Sequence, residues 1–194
     1  MRQVHKEAIR LYDNITRCGS SEIAHKIVFG IELSPNATVT EMADWVNHVS
    51  SELERGFDEA TIKAIRMGCY CDEDGKLDES KRLIKEIFDV SESMDDFVAR
   101  MNAQNVGWYM EGGFLFAKYF SCSCPMLEGI DRLATKTWCY CTVGFNRHIF
   151  EHVFGCRVDV ELLESIKMGH EQCLMKIVPC GSIKGSGSMG GNTN

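Results

Sequence analysis

Apolar residues recur at helical spacing through the first hundred positions of this chain. In Val4–Thr16 they fall at Ile9, Tyr12 and Ile15. Ser20-Ser21 followed by Glu22 has the form of a helix start, and Gly30 is a stop. Pro35-Asn36 reads as a turn. Thr40–Phe57 carries Met42, Val46, Val49 and Leu53 on one face. Asp58 can cap the next helix, which turns Ile62 and Ile65 inward and ends near Gly68. Asp78–Phe88 and Ser93–Asn105 complete the helical set. After Gly107 the period changes. Gly112–Phe120 is aromatic-rich and reads as a buried strand. Gly144–Phe154 reads as a helix with Phe145, Ile149, Phe150, Val153 and Phe154 as its stripe, ended by Gly155. Arg157–Glu164 and Cys173–Val178 alternate as strands, with a hairpin turn at Lys167-Met168-Gly169-His170. The pattern predicts an α+β fold: a helical region over 1–106 packed on a small, mostly antiparallel sheet unit over 107–180, the two forming one continuous domain. Residues 181–194 are rich in Gly, Ser and Asn and read as a disordered tail.

Laid over these elements is a cysteine doublet that occurs three times: Cys69-Tyr70-Cys71, Cys122-Ser123-Cys124 and Cys139-Tyr140-Cys141. Only 14 residues separate the second copy from the third. Two segments that each supply two thiolates give the closed four-sulfur shell that a soft metal prefers. The spacing sets a condition. Along an extended strand, residues two apart are separated by about 6.6 Å. Sulfurs on one tetrahedral zinc lie about 3.8 Å apart, given bonds of about 2.3 Å. Both cysteines of a doublet therefore reach one ion only where the chain curls at the middle residue. Ser123, with Pro125 following Cys124, suits such a curl. A helix beginning near Gly144 would favour thiolate at Cys141. Cys122, Cys124, Cys139 and Cys141 are thus the expected metal ligands, with zinc first and an iron–sulfur cluster second, although the usual two-residue cluster spacing is absent.

Other residues compete for the same chemistry. Cys69 and Cys71 can join that site, or form another with Cys18, or act as a redox pair. Cys18, just before Gly19, otherwise reads as a buried apolar thiol. Cys156 and Cys180 lack partners by spacing and read as structural. His148-Ile149-Phe150-Glu151-His152 matches the His-x-x-Glu-His pattern in which two imidazoles one turn apart hold zinc and the Glu is a base. Both histidines flank the apolar stripe, so surface or half-buried histidines are the simpler reading.

Composition narrows the class. A net charge of -7, from 28 acidic against 21 basic residues with no basic stripe, argues against nucleic acid as the partner. No stretch nears ~18 apolar residues, so no membrane span is expected. Met1–Arg10 lacks the apolar core of a secretory signal, which makes the cytoplasm the expected location, where thiols stay reduced. At 194 residues the chain can bury a core without disulfide staples.

The C-terminal third carries a further signal. Gly144-Phe145, Phe150-Glu151-x-Val153-Phe154-Gly155, Val158-x-Val160-Glu161-Leu162-Leu163-Glu164-Ser165-Ile166 and Gly169-x-x-x-Cys173-x-x-x-Ile177 follow one another. This ending resembles a superfamily of small α/β domains that includes the 4-vinyl reductase domain and the L-2-amino-thiazoline-4-carboxylate hydrolase-like proteins. The resemblance implies helices on an antiparallel sheet and a domain that binds a small hydrophobic molecule or a metal. Cys173 matches the superfamily's late cysteine, and the doublets agree better with a cysteine-rich branch than with the ring-opening enzyme.

Three functions follow as expectations. The first is a metal-binding domain that also takes a small-molecule ligand in a pocket lined by Trp108, Tyr109, Phe114, Phe116 and Trp138, with a homodimer left open. The second is a zinc-dependent hydrolase of a small cyclic amide or thiazoline-like compound. It would need three protein ligands and a water, with His170 or Glu171 as base. The third is a redox or heavy-metal-responsive thiol protein using Cys69 and Cys71.

Overall fold

Each early helix but one begins where a side chain can accept from the unpaired N–H groups of its first turn. The computed structural model describes residues 4–72 and 75–183. In it α1 (Lys6–Cys18) starts behind His5, α2 (Ser21–Val28) behind Ser20, α4 (Glu59–Met67) behind Asp58 and α6 (Met94–Asn102) behind Ser93. Thr38 caps α3 (Val39–Gly56) with a full capping box, in which the Thr38 N–H donates back to Glu41 at 2.7 Å. The exception is α5 (Lys76–Val90), which follows Gly75 at a φ of 70°. The seventh helix among the described residues, α7, spans Tyr140–Phe154. It starts four residues before the expected Gly144, because a 3-10 turn over Thr137–Cys139 already winds the chain.

The chain folds as two units. The first comprises the chain up to Cys71, Ser121–Gly144 and Ser165–Glu171. It contains α1 to α4 and the first turn of α7. Its core is built on Leu11, Ile15, Trp45, Val49, Leu53, Ile65 and Trp138. Trp45 and Trp138 meet edge to face at 5.7 Å, an arrangement that adds about 0.5–1.5 kcal/mol beyond the area buried. The Trp45 indole N–H donates to the Val28 carbonyl at 3.0 Å, which ties α3 to α2.

The second unit comprises Asp72–Phe120, Phe145–Glu164 and the chain from Gln172 on. It holds α5, α6, most of α7 and a four-stranded antiparallel sheet of β1 (Tyr109–Glu111), β2 (Phe114–Tyr119), β3 (Val158–Glu164) and β4 (Cys173–Pro179), in the order β1-β2-β4-β3. β3 is an edge strand whose even positions Val158, Val160 and Leu162 are buried. Phe88, Phe97, Trp108, Phe150 and Phe154 form an aromatic layer in this unit.

The architecture is α+β, with helices concentrated in the N-terminal half. Two local expectations change. The strand expected over Gly112–Phe120 is present but runs only from Phe114 to Tyr119: Gly112 and Gly113 take φ of 58° and 82° and turn the chain between β1 and β2. Cys18 is exposed rather than buried, because it is the last residue of α1, where the buried stripe of Leu11 and Ile15 runs out next to Gly19. Most of the expected tail, residues 184–194, and part of the loop after Cys71, residues 73–74, lie outside the described residues. Among the described residues no helix is long and apolar enough to cross a membrane.

Candidate functional site

Two glycines bring α1, the end of α4 and the start of α7 together in the first unit. A Cβ on Gly68, just after α4, would lie 2.0 Å from Asn14 Oδ1, and the Asn14 amide donates to the Gly68 carbonyl at 3.2 Å. A Cβ on Gly144, in the first turns of α7, would lie 2.0 Å from the Met67 carbonyl oxygen. With no side chain at either place, α1, the end of α4 and the start of α7 close on one another. Cys69-Tyr70-Cys71 follows Gly68 directly, and Cys141 stands one turn before Gly144.

At this junction sits a buried charge cluster. Arg66 is fully buried, at 0% exposure. It projects from the apolar face of α4, on the Ile62 and Ile65 side. Its Nη2 donates to the Trp138 carbonyl at 3.1 Å, and its guanidinium lies 3.8 Å over the Trp138 ring. Its Nη1 is 3.5 Å from Glu7 Oε1, and neither Nη1 nor Nε has a hydrogen-bond partner. Glu7, itself buried on α1, accepts from Arg10 Nη1 at 2.7 Å. That same Arg10 nitrogen donates to Cys71 Sγ at 3.2 Å. Two guanidinium groups thus share one carboxylate, and one of them touches a thiol.

Four thiols lie within electrostatic reach of these charges. Burial pushes the Cys69 thiol up to about 12, with Arg66 pulling against it and Glu7 and Cys141 adding to it. Burial likewise pushes Cys71 up to about 11, with Glu7 and Cys141 adding and Arg10 opposing. Cys124 is pushed up to about 12 by burial and then by Cys141, while the Met126 backbone and the Trp138 side chain draw it down. Cys141 is raised by burial, with Arg66 opposing. Cys141 is therefore within electrostatic reach of Cys69, Cys71 and Cys124. Arg66 feels Cys69, Cys141 and Cys124 as well as Glu7, which together outweigh the effect of its burial. Cys69 Sγ meanwhile donates to the Ile65 carbonyl at 3.3 Å. All four are held above the ordinary thiol range, and none of the ten cysteines is in a disulfide. Among the described residues no three His, Cys, Asp or Glu side chains are grouped as ligands of one ion.

The doublets therefore contribute unequally. Cys69 and Cys71 belong to the cluster together, whereas Cys124 and Cys141 join it singly. Cys139 is buried with its Sγ 3.4 Å from Ser165 Oγ. Cys122 is half-buried, and Cys18 is exposed at the end of α1. In the second unit, half-buried Cys173 pairs in register with Tyr119, Cys156 lies against Gly181, and exposed Cys180 faces Asp159.

The remaining candidates are dispersed. His148 and His152 are exposed on α7, and Glu151 between them accepts from Arg147 at 2.9 Å. His152 lines a groove with Asp78, Lys81, Arg82, Lys85 and Glu86 of α5. His170 and Glu171 are exposed, and His170 Nδ1 is bound to the backbone of Ser165. The aromatics expected to line a pocket serve as packing partners. Trp108 meets Phe97 and Phe150, Tyr109 stacks on Phe116 at 4.9 Å, Phe114 lies under Lys176, and Trp138 belongs to the Arg66 cluster.

The charged members of the cluster escaped the reading of the sequence, yet they left a signal. Glu7 stands in the α1 stripe with Leu11, Asn14 and Ile15, and Arg66 stands in the α4 stripe with Ile62. An ionisable residue on an apolar stripe is either paired or functional.

No curated protein and no solved structure matches the chain. One family model does match, over residues 1–184, and its description is a family of unknown function. With that coverage, the chain belongs to the DUF6144 family.

Proposed function

We propose that this is a soft-metal-binding protein, with zinc the first choice of ion, whose ligands are Cys69, Cys71, Cys124 and Cys141. The observation that supports this most strongly is Arg66, a fully buried guanidinium that is ion-paired with Glu7 and lies within electrostatic reach of Cys69, Cys124 and Cys141. Arginine is costly to bury without compensating negative charge. Thiolates on a cation provide such charge, because four sulfurs on a divalent ion leave a dianion. The all-sulfur donor set selects a soft or borderline ion over magnesium or calcium. The Met126 backbone beside Cys124 is an outer partner of the kind a thiolate ligand uses. Binding closes four side chains that stand as separate thiols in this structure and releases their protons.

The test is metal analysis of protein purified under reduction, with thiol titration before and after chelation. The expected result is one zinc per chain and four thiols that become titratable only after chelation. Cys71→Ser and Cys141→Ser lower the metal content, whereas Cys122→Ser and Cys139→Ser leave it intact. Metal loss in Cys122→Ser and Cys139→Ser with retention in Cys71→Ser rejects this ligand set.

A further inference from the structure

The second unit carries a groove of different chemistry, between α5 and the end of α7. We propose that it binds a small, soluble phosphate-bearing molecule, a diphosphate or a phosphate ester, through Lys81, Arg82 and Lys85. This goes beyond the metal reading and does not depend on it.

The groove has a volume of about 390 Å3 and is lined by Asp78, Lys81, Arg82, Lys85 and Glu86 of α5 and by His152 in the last turn of α7. That size suits a small ligand. Its two walls are fixed to each other: Phe88 of α5 is buried and meets Phe154 of α7 with ring centroids 5.2 Å apart. In a chain of net charge -7, this lining sets Lys81, Arg82 and Lys85 against only Asp78 and Glu86.

Each of these cations has a partner, but a weak one. Lys81 pairs with Asp78 at 3.3 Å, Arg82 with Glu86 at 2.8 Å, and Lys85 with Asp89. All three pairs lie within α5, and exposed pairs of this kind contribute little to stability. Arg82–Glu86 and Lys85–Asp89 also run in the poorer order, with the base before the acid. The lysines lie deeper than their acids. The Lys81 and Lys85 side chains are 21% and 33% exposed, against 81% and 53% for Asp78 and Asp89. The acids can therefore turn to water while the ammonium groups stay at the groove. An entering anion takes over cations that are already in place. One carboxylate brings too little charge for all three. A phosphate group brings about two negative charges and several acceptor oxygens, which suit two ammonium groups and the planar fork of Arg82. His152 adds a ring nitrogen to the same lining.

The test uses the full-length reduced protein with sodium pyrophosphate as probe, followed by isothermal titration calorimetry in buffer free of divalent ions. Saturable binding at one site per chain is expected. Lys81→Gln combined with Lys85→Gln weakens it by about tenfold or more, whereas Asp78→Asn combined with Glu86→Gln tightens it by about threefold. Lys26→Gln, an exposed change on α2, leaves it unaltered. Damage to the fold weakens binding in both double variants, so opposite shifts are specific to the charge roles. Absence of saturable binding, equal weakening in Lys26→Gln, or weakening in both double variants overturns the site. Vesicles of phosphatidic acid in phosphatidylcholine form the second arm. Binding to them without binding to pyrophosphate assigns the groove to a lipid headgroup and overturns the soluble ligand. No readout here depends on zinc or on a thiol, so failure of the metal reading and failure of this site are told apart.

Discussion

Glu7→Gln is the most telling single substitution for the cluster's energetics. Glu7 is 3% exposed and, among the described residues, is the one carboxylate paired with the fully buried Arg66, at 3.5 Å. The change keeps the shape of the side chain and removes its charge. Arg10 has a side chain about a quarter exposed and can turn to water. Arg66 cannot, and is left as an unpaired buried cation. Stranding one member of a buried ion pair costs about 3–5 kcal/mol. At a typical slope of about 2 kcal/mol/M, the urea midpoint of the reduced, metal-free protein falls by about 2 M. Adding Arg66→Met to Glu7→Gln removes the stranded charge and places an apolar side chain on Trp138, so the double variant recovers most of the loss. The assay is equilibrium urea unfolding followed by tryptophan fluorescence and circular dichroism, with 1:1 thiol reductant and chelator controls across the cycle. A loss below about 1 kcal/mol in Glu7→Gln, or a double variant weaker than either single one, refutes the claim that Arg66 depends on Glu7.

Three further outcomes are expected. Gly144→Ala improves helix propensity by about 1 kcal/mol but places a Cβ 2.0 Å from the Met67 carbonyl oxygen. Overpacking against backbone costs about 1–3 kcal/mol or more, so the melting temperature falls by several degrees, and an unchanged or higher value disproves the close approach. Tyr119 is half-buried and its hydroxyl donates to Asn146, and desolvation raises it above its ordinary 10.0. Its contribution to stability is fully present below pH 10 and is lost as pH rises toward the higher folded value, so Tyr119→Phe flattens the alkaline stability profile and costs about 1 kcal/mol at neutral pH. A profile as steep as that of the unmodified protein contradicts this. Cys18→Ser removes one rapidly labelled thiol and shifts stability by no more than about 0.5 kcal/mol, as unfolding and thiol-labelling kinetics will show.

Helices and strands were legible where local chemistry and tertiary packing agree. The Thr38–Glu41 capping box, the Asp58 and Ser93 caps and the alternation in β3 each mark an element within a residue or two. The start of α7 was not legible. Tyr140, Cys141 and Thr142 are indifferent helix formers, and the 3-10 turn ahead of them leaves no N-cap signature. The site was half legible. The doublets drew attention to cysteines, some of which lie within electrostatic reach of Arg66, but spacing alone cannot say which member of a doublet faces that charge. Around a helix start, residues two apart point in nearly opposite directions at about 100° per residue. Cys139 therefore turns to Ser165, while Cys141 turns to Arg66. The choice of Cys69 and Cys71 as partners comes from Gly68 and Gly144, whose effect depends on what approaches them from elsewhere in the chain.

Those two glycines also govern how this protein tolerates sequence drift. The segment bearing Cys69 and Cys71 is located by a main-chain carbonyl against one helix and an asparagine amide against another, not by the bulk of neighbouring aliphatic groups. Trimming Ile62 or Leu11 would loosen the interior while leaving the sulfurs' footing in place. The chain can therefore exchange many of its oily residues over evolutionary time, so long as two positions remain bare.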